Sequence, residues 1–146
     1  MTPLAVGRAF VDTNILVYAH GVGDDDPRAQ RARSVLAELW RDDTGVLSSQ
    51  VLQEFYAVTT RKLRPPLPRK HSRSVVAAYA GWCRVTTDAD LILSASTLEE
   101  DHTLAFWDAL IVEAALQTGA VTLLSEDLQD GRRFGDLQVA NPFRDL

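Results

Sequence analysis

Short apolar runs alternate along this chain with longer segments of helical periodicity. The runs have the length of buried strands and occupy residues 9–11, 45–47, 84–86, 121–124 and 137–140. Helical patterns separate them, at 15–21, 27–40, 51–61, 69–81, 89–100 and 106–117. Parallel neighbours in a sheet need long crossover connections, which helices supply. The sequence therefore predicts an α/β protein, a three-layer α/β/α sandwich around a mostly parallel sheet of roughly five strands.

Length and composition indicate one globular domain covering residues 1–146. A chain of this size buries most of its unfolded surface without disulfides or a structural metal, and 46% of its residues are hydrophobic. No segment approaches the roughly 20 apolar residues that span a bilayer, and we find no secretory leader. The single cysteine, Cys83, fits a reducing compartment and a role as a small buried hydrophobe. We therefore expect a cytoplasmic protein without membrane contact.

Two acidic side chains follow predicted strands directly. Asp12 comes after the first strand and Asp127 after the fourth. In an open parallel sheet the carboxyl ends of the strands line one edge, and ligands commonly bind there. We expect both carboxylates at that edge.

Two further carboxylates lie among apolar residues of predicted helices. Glu54 falls three residues after Val51, and Asp108 precedes Ile111 by three residues. A buried carboxylate costs free energy unless a cation or hydrogen bonds compensate it. If these two converge with Asp12 and Asp127, their mutual repulsion raises some of their pKa values and opposes folding, and a divalent cation relieves that repulsion.

The residue types favour a hard metal ion. Carboxylates without cysteine or suitably spaced histidine select Mg²⁺ or Mn²⁺, which keep several waters and take further ligands from phosphate. Such an ion activates water and neutralises charge that develops during phosphodiester cleavage. The four acids therefore predict hydrolysis of phosphodiester bonds without a side-chain nucleophile.

A basic stretch follows the helix that carries Glu54, although the net charge of the chain is -5. Its residues are Arg61, Lys62, Arg64, Arg69, Lys70 and Arg73. Arginines neutralise phosphates, so Arg61, Arg64 and Arg69 are candidate contacts for RNA. A solvated arginine-rich face or a dimer interface accounts equally well for the cluster.

Four short motifs in this order resemble the PIN-domain ribonucleases, and most of all the VapC-type toxins of toxin–antitoxin pairs. The resemblance covers residues 10 to about 143 and rests on Asp12-Thr13-Asn14, Glu54, Phe106-Trp107-Asp108 and Ser125-Glu126-Asp127. It implies a parallel-sheet α/β/α fold and cleavage of single-stranded or looped RNA with Mg²⁺ or Mn²⁺. It also implies a homodimer and a VapB-like antitoxin whose C-terminal segment covers the acidic groove.

Matched to the family pattern residue by residue, the resemblance gives each motif a role. The main acids correspond to Asp12, Glu54 and Asp108, and the more variable fourth acid corresponds to Asp127, or to its neighbour Glu126. The polar residues that support such a site correspond to Asn14 and Ser125.

Other classes fit less well or remain open. A haloacid-dehalogenase-like phosphatase needs an aspartate where this chain has Asn14, and a response-regulator receiver needs a late lysine, whereas no lysine follows Lys70. A catalytically silent PIN-like module that binds RNA or a protein partner stays open as the alternative function.

Overall fold

A six-stranded sheet forms the centre of the protein, for which a computed structural model describes residues 4–146. Its strands are β1 (Ala9–Val11), β2 (Gly45–Ser48), β3 (Cys83–Val85), β4 (Thr122–Leu124), β5 (Arg133–Phe134) and β6 (Leu137–Ala140). Their order across the sheet is β3-β2-β1-β4-β6-β5. All neighbours pair in parallel except β5, which pairs antiparallel with β6. The predicted α/β fold with a mostly parallel sheet is confirmed.

The prediction of roughly five strands missed β5. This strand has two residues, Arg133–Phe134, which is too short to show an alternating pattern. It joins β6 through a tight hairpin in which Gly135 has a φ of 60°, a value that glycine adopts without steric cost. The hairpin adds an antiparallel edge to an otherwise parallel sheet.

Six α-helices connect the strands. They are α1 (Thr13–Gly21), α2 (Pro27–Asp42), α3 (Ser49–Arg61), α4 (Arg69–Tyr79), α5 (Ala89–His102) and α6 (Phe106–Gln117). Helix α2 begins as predicted, because Pro27 occupies its first position and the Asp26 side chain accepts a hydrogen bond from the Arg28 backbone N–H at 3.0 Å. Helix α1 begins two residues before the predicted start, because Asp12 caps it directly after β1.

Helices cover both faces of the sheet. The central strands β1 and β4 are buried along their whole length, which requires packing on each side. Helix α1 packs on α2 and α3, α3 also packs on α4, and α5 packs on α6. Cys83 lies in the edge strand β3 and is half-buried, so the prediction of a buried cysteine was wrong.

Within residues 4–146, none of the helices combines the length and apolar character needed to cross a bilayer.

Candidate active site

The carboxyl ends of β1 and β4 place Asp12 beside Ser125. The two strands are parallel neighbours with Val11 opposite Leu124, so the residues that follow them are adjacent. The Ser125 hydroxyl donates to Asp12 Oδ2 at 2.7 Å, and the Thr13 backbone N–H donates to Asp12 Oδ1 at 2.7 Å. Asp12 is only 7% exposed. The same carboxylate therefore caps α1 and faces the edge of the sheet.

Asn14 connects α1 to the turn after β4. Its amide nitrogen donates to Asp127 Oδ2 at 3.0 Å, and its amide oxygen accepts from the Glu126 backbone N–H at 3.3 Å. The Asp127 backbone N–H in turn donates to the Ser125 hydroxyl at 3.1 Å. These bonds hold the exposed Asp127 carboxylate next to the start of α1.

The side chain of Glu126 is bound elsewhere. Tyr18 donates its hydroxyl proton to Glu126 at 2.8 Å, and Arg28 lies 3.4 Å from the same carboxylate. Arg28 also pairs with Asp26 at 3.0 Å, and its guanidinium lies 4.6 Å from the centre of the Tyr18 ring. Of the two candidates for the fourth acid, the structure places Asp127 beside Asn14 and engages Glu126 with Tyr18 and Arg28.

Glu54 joins this group from α3. The half-buried carboxylate accepts a hydrogen bond from the Thr13 hydroxyl at 3.0 Å and lies 3.4 Å from the Gln50 amide nitrogen. The same nitrogen of Gln50 is 3.4 Å from the backbone carbonyl of Trp107 in α6. Sequence reasoning missed Thr13 and Gln50 as site residues. The available signals were that Thr13 follows Asp12 and that Gln50 precedes Glu54 by one helical turn.

Electrostatic repulsion links the four acids. The pKa of Asp12 is raised to about 7, mainly by burial; hydrogen bonds from Ser125 and Thr13 oppose this rise, and the charges of Asp127 and Glu54 contribute to it. Burial also raises the pKa of Asp108, in the first turn of α6, and the charge of Asp127 adds to that effect. The structure thus couples the four acids in pairs, Asp12 with Glu54, Asp12 with Asp127 and Asp108 with Asp127.

The donor set suits a hard cation that keeps part of its water. All the side chains that meet here offer oxygen ligands, which Mg²⁺ and Mn²⁺ prefer. Among the described residues 4–146, no three His, Cys, Asp or Glu side chains are grouped so as to hold a metal ion. Mg²⁺ commonly binds through one or two carboxylates and completes its shell with water and substrate phosphate. The residues present fit an ion bound in that way.

The three candidate RNA-binding arginines lie outside the acidic group. Arg61 ends α3, Arg64 lies in the following loop and Arg69 begins α4, and all three are exposed. Arg64 donates to the carbonyls of Arg61 and Leu63 at 3.0 and 3.1 Å. In the part of the chain that the structure describes, none of the three forms an ion pair. Arg61 lies seven positions after Glu54 in α3, which is about 10 Å along the helix axis.

Solved structures share this fold. A toxin–antitoxin complex from Klebsiella pneumoniae matches with a TM-score of 0.63 and 16% identity, over 92% of this chain and 98% of that chain. The sarcin–ricin-loop-cleaving toxin VapC20 of Mycobacterium tuberculosis matches with a TM-score of 0.60 and 22% identity, over 82% and 91%. VapBC2 from Rickettsia felis, bound to promoter DNA, matches with a TM-score of 0.61 and 20% identity, over 91% and 97%. At these identities the likeness shows the fold alone.

A family comparison identifies the chain more directly. The family model described as the PIN domain matches residues 9–133, whereas no curated protein sequence matches the chain. The matched range is most of the 146 residues and includes all four carboxylates of the site. The chain belongs to the PIN domain family.

Proposed function

We propose that this protein is a Mg²⁺- or Mn²⁺-dependent endoribonuclease and the toxin of a type II toxin–antitoxin pair in the cytoplasm. The observation that supports the proposal is a chain of pairwise repulsions near the carboxyl edge of a PIN-fold sheet, in which the charge of Asp127 acts on both Asp12 and Asp108 and the charge of Glu54 acts on Asp12. Acids that repel one another in pairs destabilise a chain that never binds a cation, so they argue against a purely structural role.

The residues of the site divide into acids and the groups that position them. When bound, a divalent ion supplies an activated water and neutralises charge on the phosphate. Asp12, fixed by Ser125 and Thr13, and Asp127, held by Asn14, are the acids with the most complete support. The Ser125 hydroxyl donates to Asp12 and accepts from the Asp127 N–H, so it serves to orient these acids rather than to attack the substrate.

Metal-dependent cleavage is the first test of this proposal. Protein freed of any bound antitoxin should cut structured RNA with Mg²⁺ or Mn²⁺, stop with EDTA and recover with excess metal. Because water is the nucleophile, mass spectrometry of the products should find no 2′,3′-cyclic phosphate. If no RNA is cut with either metal, the alternative of a catalytically silent module replaces the enzyme.

The partner proposal concerns the acidic site itself. Structures of similar fold include toxin–antitoxin complexes, and an acidic groove attracts a basic peptide segment. We expect a VapB-like antitoxin, encoded in the adjoining reading frame, to cover the groove with its C-terminal segment and to stop cleavage. Co-expression followed by an activity assay tests this, and full activity of the purified pair would contradict it.

A homodimer is the expected form of the free protein. Helix α5 exposes Ile92 and Leu93, with 42% and 67% of their surface open to solvent. Burying such side chains against a second copy is favourable. Light scattering of the parent chain and of Leu93→Ser measures the oligomeric state, and a monomeric parent would contradict the dimer.

Arginine contacts with RNA are a separate prediction. Replacing Arg64 and Arg69 together by glutamine should weaken RNA binding and make its dependence on salt shallower, by about one unit of log–log slope per lost phosphate contact. Fluorescence anisotropy over a range of salt concentrations measures both effects. Arg41→Gln, which removes one positive charge from an exposed position at the end of α2, is the control for a general effect of charge, and its effect is compared with half that of the double variant. Unchanged binding in the double variant would leave a dimer contact as the role of the basic stretch.

A further inference from the structure

Trp107 is exposed directly beside one of the four acids. It precedes Asp108 in the first turn of α6, and 66% of its surface is open to solvent. The following residues Ala109 and Leu110 are buried, so α6 does not lack a core-facing side. Tryptophan is usually highly buried, which makes an open indole at the rim of an active site unusual.

Phe106 contacts the ring of Trp107, and Gln50 contacts its backbone carbonyl. The ring of Phe106 contacts the indole edge-on, with centroids 5.5 Å apart and an interplanar angle of 68°, and Phe106 itself packs against the small core between α5 and α6. The backbone carbonyl of Trp107 lies 3.4 Å from the amide nitrogen of Gln50, which also contacts Glu54. The backbone of Trp107 is therefore held beside Gln50 and its ring rests against Phe106, while most of the indole surface stays free.

A nucleobase is the ligand that suits this surface. The acids by themselves repel phosphates, so a contact that does not depend on charge adds affinity for RNA at this position. Stacking on an aromatic side chain is such a contact, and every base offers a flat face. Consecutive Cα atoms are about 3.8 Å apart. The side chains of Trp107 and Asp108 therefore start from neighbouring backbone positions, and a base on the exposed indole would belong to a nucleotide that adjoins the phosphate at the acids.

We propose that Trp107 is a stacking platform for an unpaired base next to the scissile phosphate, an inference that rests on the proposed nuclease function. Bases in a duplex are stacked on each other and cannot turn onto a protein ring. The platform therefore selects single-stranded or looped RNA, and Trp107 is a residue that determines specificity.

Binding measurements on tryptophan variants test the platform. With cleavage switched off by Asp12→Asn, Trp107→Ala should bind a fluorescein-labelled, unstructured oligoribonucleotide about ten-fold more weakly. Trp107→Phe keeps an aromatic face and should lose less. Trp40→Leu is the matched control, because Trp40 is 47% exposed but packs against Tyr79 and Trp82 away from the acids. It should bind as tightly as the Asp12→Asn chain with all tryptophans in place.

Abasic RNA separates stacking from general loss of affinity. An abasic nucleotide is moved along the oligonucleotide one position at a time, and binding is measured for the Asp12→Asn chain with and without the additional change Trp107→Ala. Where the base stacks on the indole, its removal should cost about ten-fold with Trp107 in place and nearly nothing after Trp107→Ala. The sensitive position should adjoin the cleavage site mapped with the parent protein.

Each result has a distinct meaning. If removal of a base weakens binding equally with and without the indole, the platform is overturned. The nuclease proposal still stands in that case if the parent cuts RNA with Mn²⁺. A chain that shows the coupling but never cuts RNA overturns the nuclease and keeps the base contact. If Trp107→Ala changes the oligomeric state of the protein in solution and shows no coupling to a base, the ring belongs to a protein interface and the platform is overturned.

Discussion

Asp12→Asn will reduce RNA cleavage at least about 1,000-fold and will stabilise the metal-free protein. A bound metal contributes several kcal/mol to transition-state stabilisation, and about 4 kcal/mol corresponds to three orders of magnitude in rate. Asparagine keeps the size of the side chain but removes the charge that the site places next to Asp127 and Glu54. Because the buried carboxylate is costly to ionise, we expect a gain in unfolding free energy of about 2–4 kcal/mol at pH 8 without metal.

The controls separate catalysis from folding. Asp108→Asn should abolish cleavage in the same way, whereas Asp101→Asn, which removes a charge from an exposed position of α5, should leave both cleavage and stability unchanged. Single-turnover cleavage and urea unfolding measure the two effects on the same samples. Cleavage at the parent rate by both Asp12→Asn and Asp108→Asn would show that the acids are wrongly assigned.

The second large effect is a loss of stability of the metal-free protein as pH rises. Burial raises the pKa of Asp12 to about 7 from its ordinary value of 3.8, so between these values the folded chain holds a proton that the unfolded chain releases. The unfolding free energy therefore falls with increasing pH, by about 2–3 kcal/mol between pH 5 and pH 8. Asp108, whose pKa burial also raises, acts in the same direction.

Metal should reverse this loss. An ion at a hundred times its dissociation constant stabilises the folded state by about 2.7 kcal/mol, and it binds the ionised acids that form at high pH. Thermal unfolding of the parent in EDTA and in Mn²⁺, from pH 5 to pH 8, measures both trends. The profile of Asp12→Asn in EDTA should fall less steeply than that of the parent, because only Asp108 still contributes. A parent profile that rises with pH in EDTA would contradict the electrostatic account.

Patterns local in sequence predicted most of the fold. Apolar runs and helical periodicity identified the parallel sheet, because both depend on neighbours within a few residues. The same reasoning placed Asp12 and Asp127 at one edge, since each follows a strand. Strand β5 was not predicted, because two residues are too few to show an alternating pattern. Its pairing with β6 depends on a tight turn.

Contacts between distant parts of the chain account for what the sequence left open. Whether Glu126 or Asp127 joins the acids depends on Tyr18 and Arg28, more than ninety positions away, which bind the Glu126 carboxylate. The role of Gln50 likewise depends on how closely α3 approaches α6. Spacing along one helix predicts which side chains share a face, and it does not predict which groups from another helix will meet them.

The bridge made by Gln50 has a consequence for the distance between the first turns of α3 and α6. One amide group contacts a carboxylate of α3 and a carbonyl of α6, and it can do so because its nitrogen carries two protons. A glutamate there would lack both donors and add a charge, and an asparagine would fall short by one methylene. The separation of the two helix ends can thus be adjusted through a single neutral side chain, without replacing any of the acids.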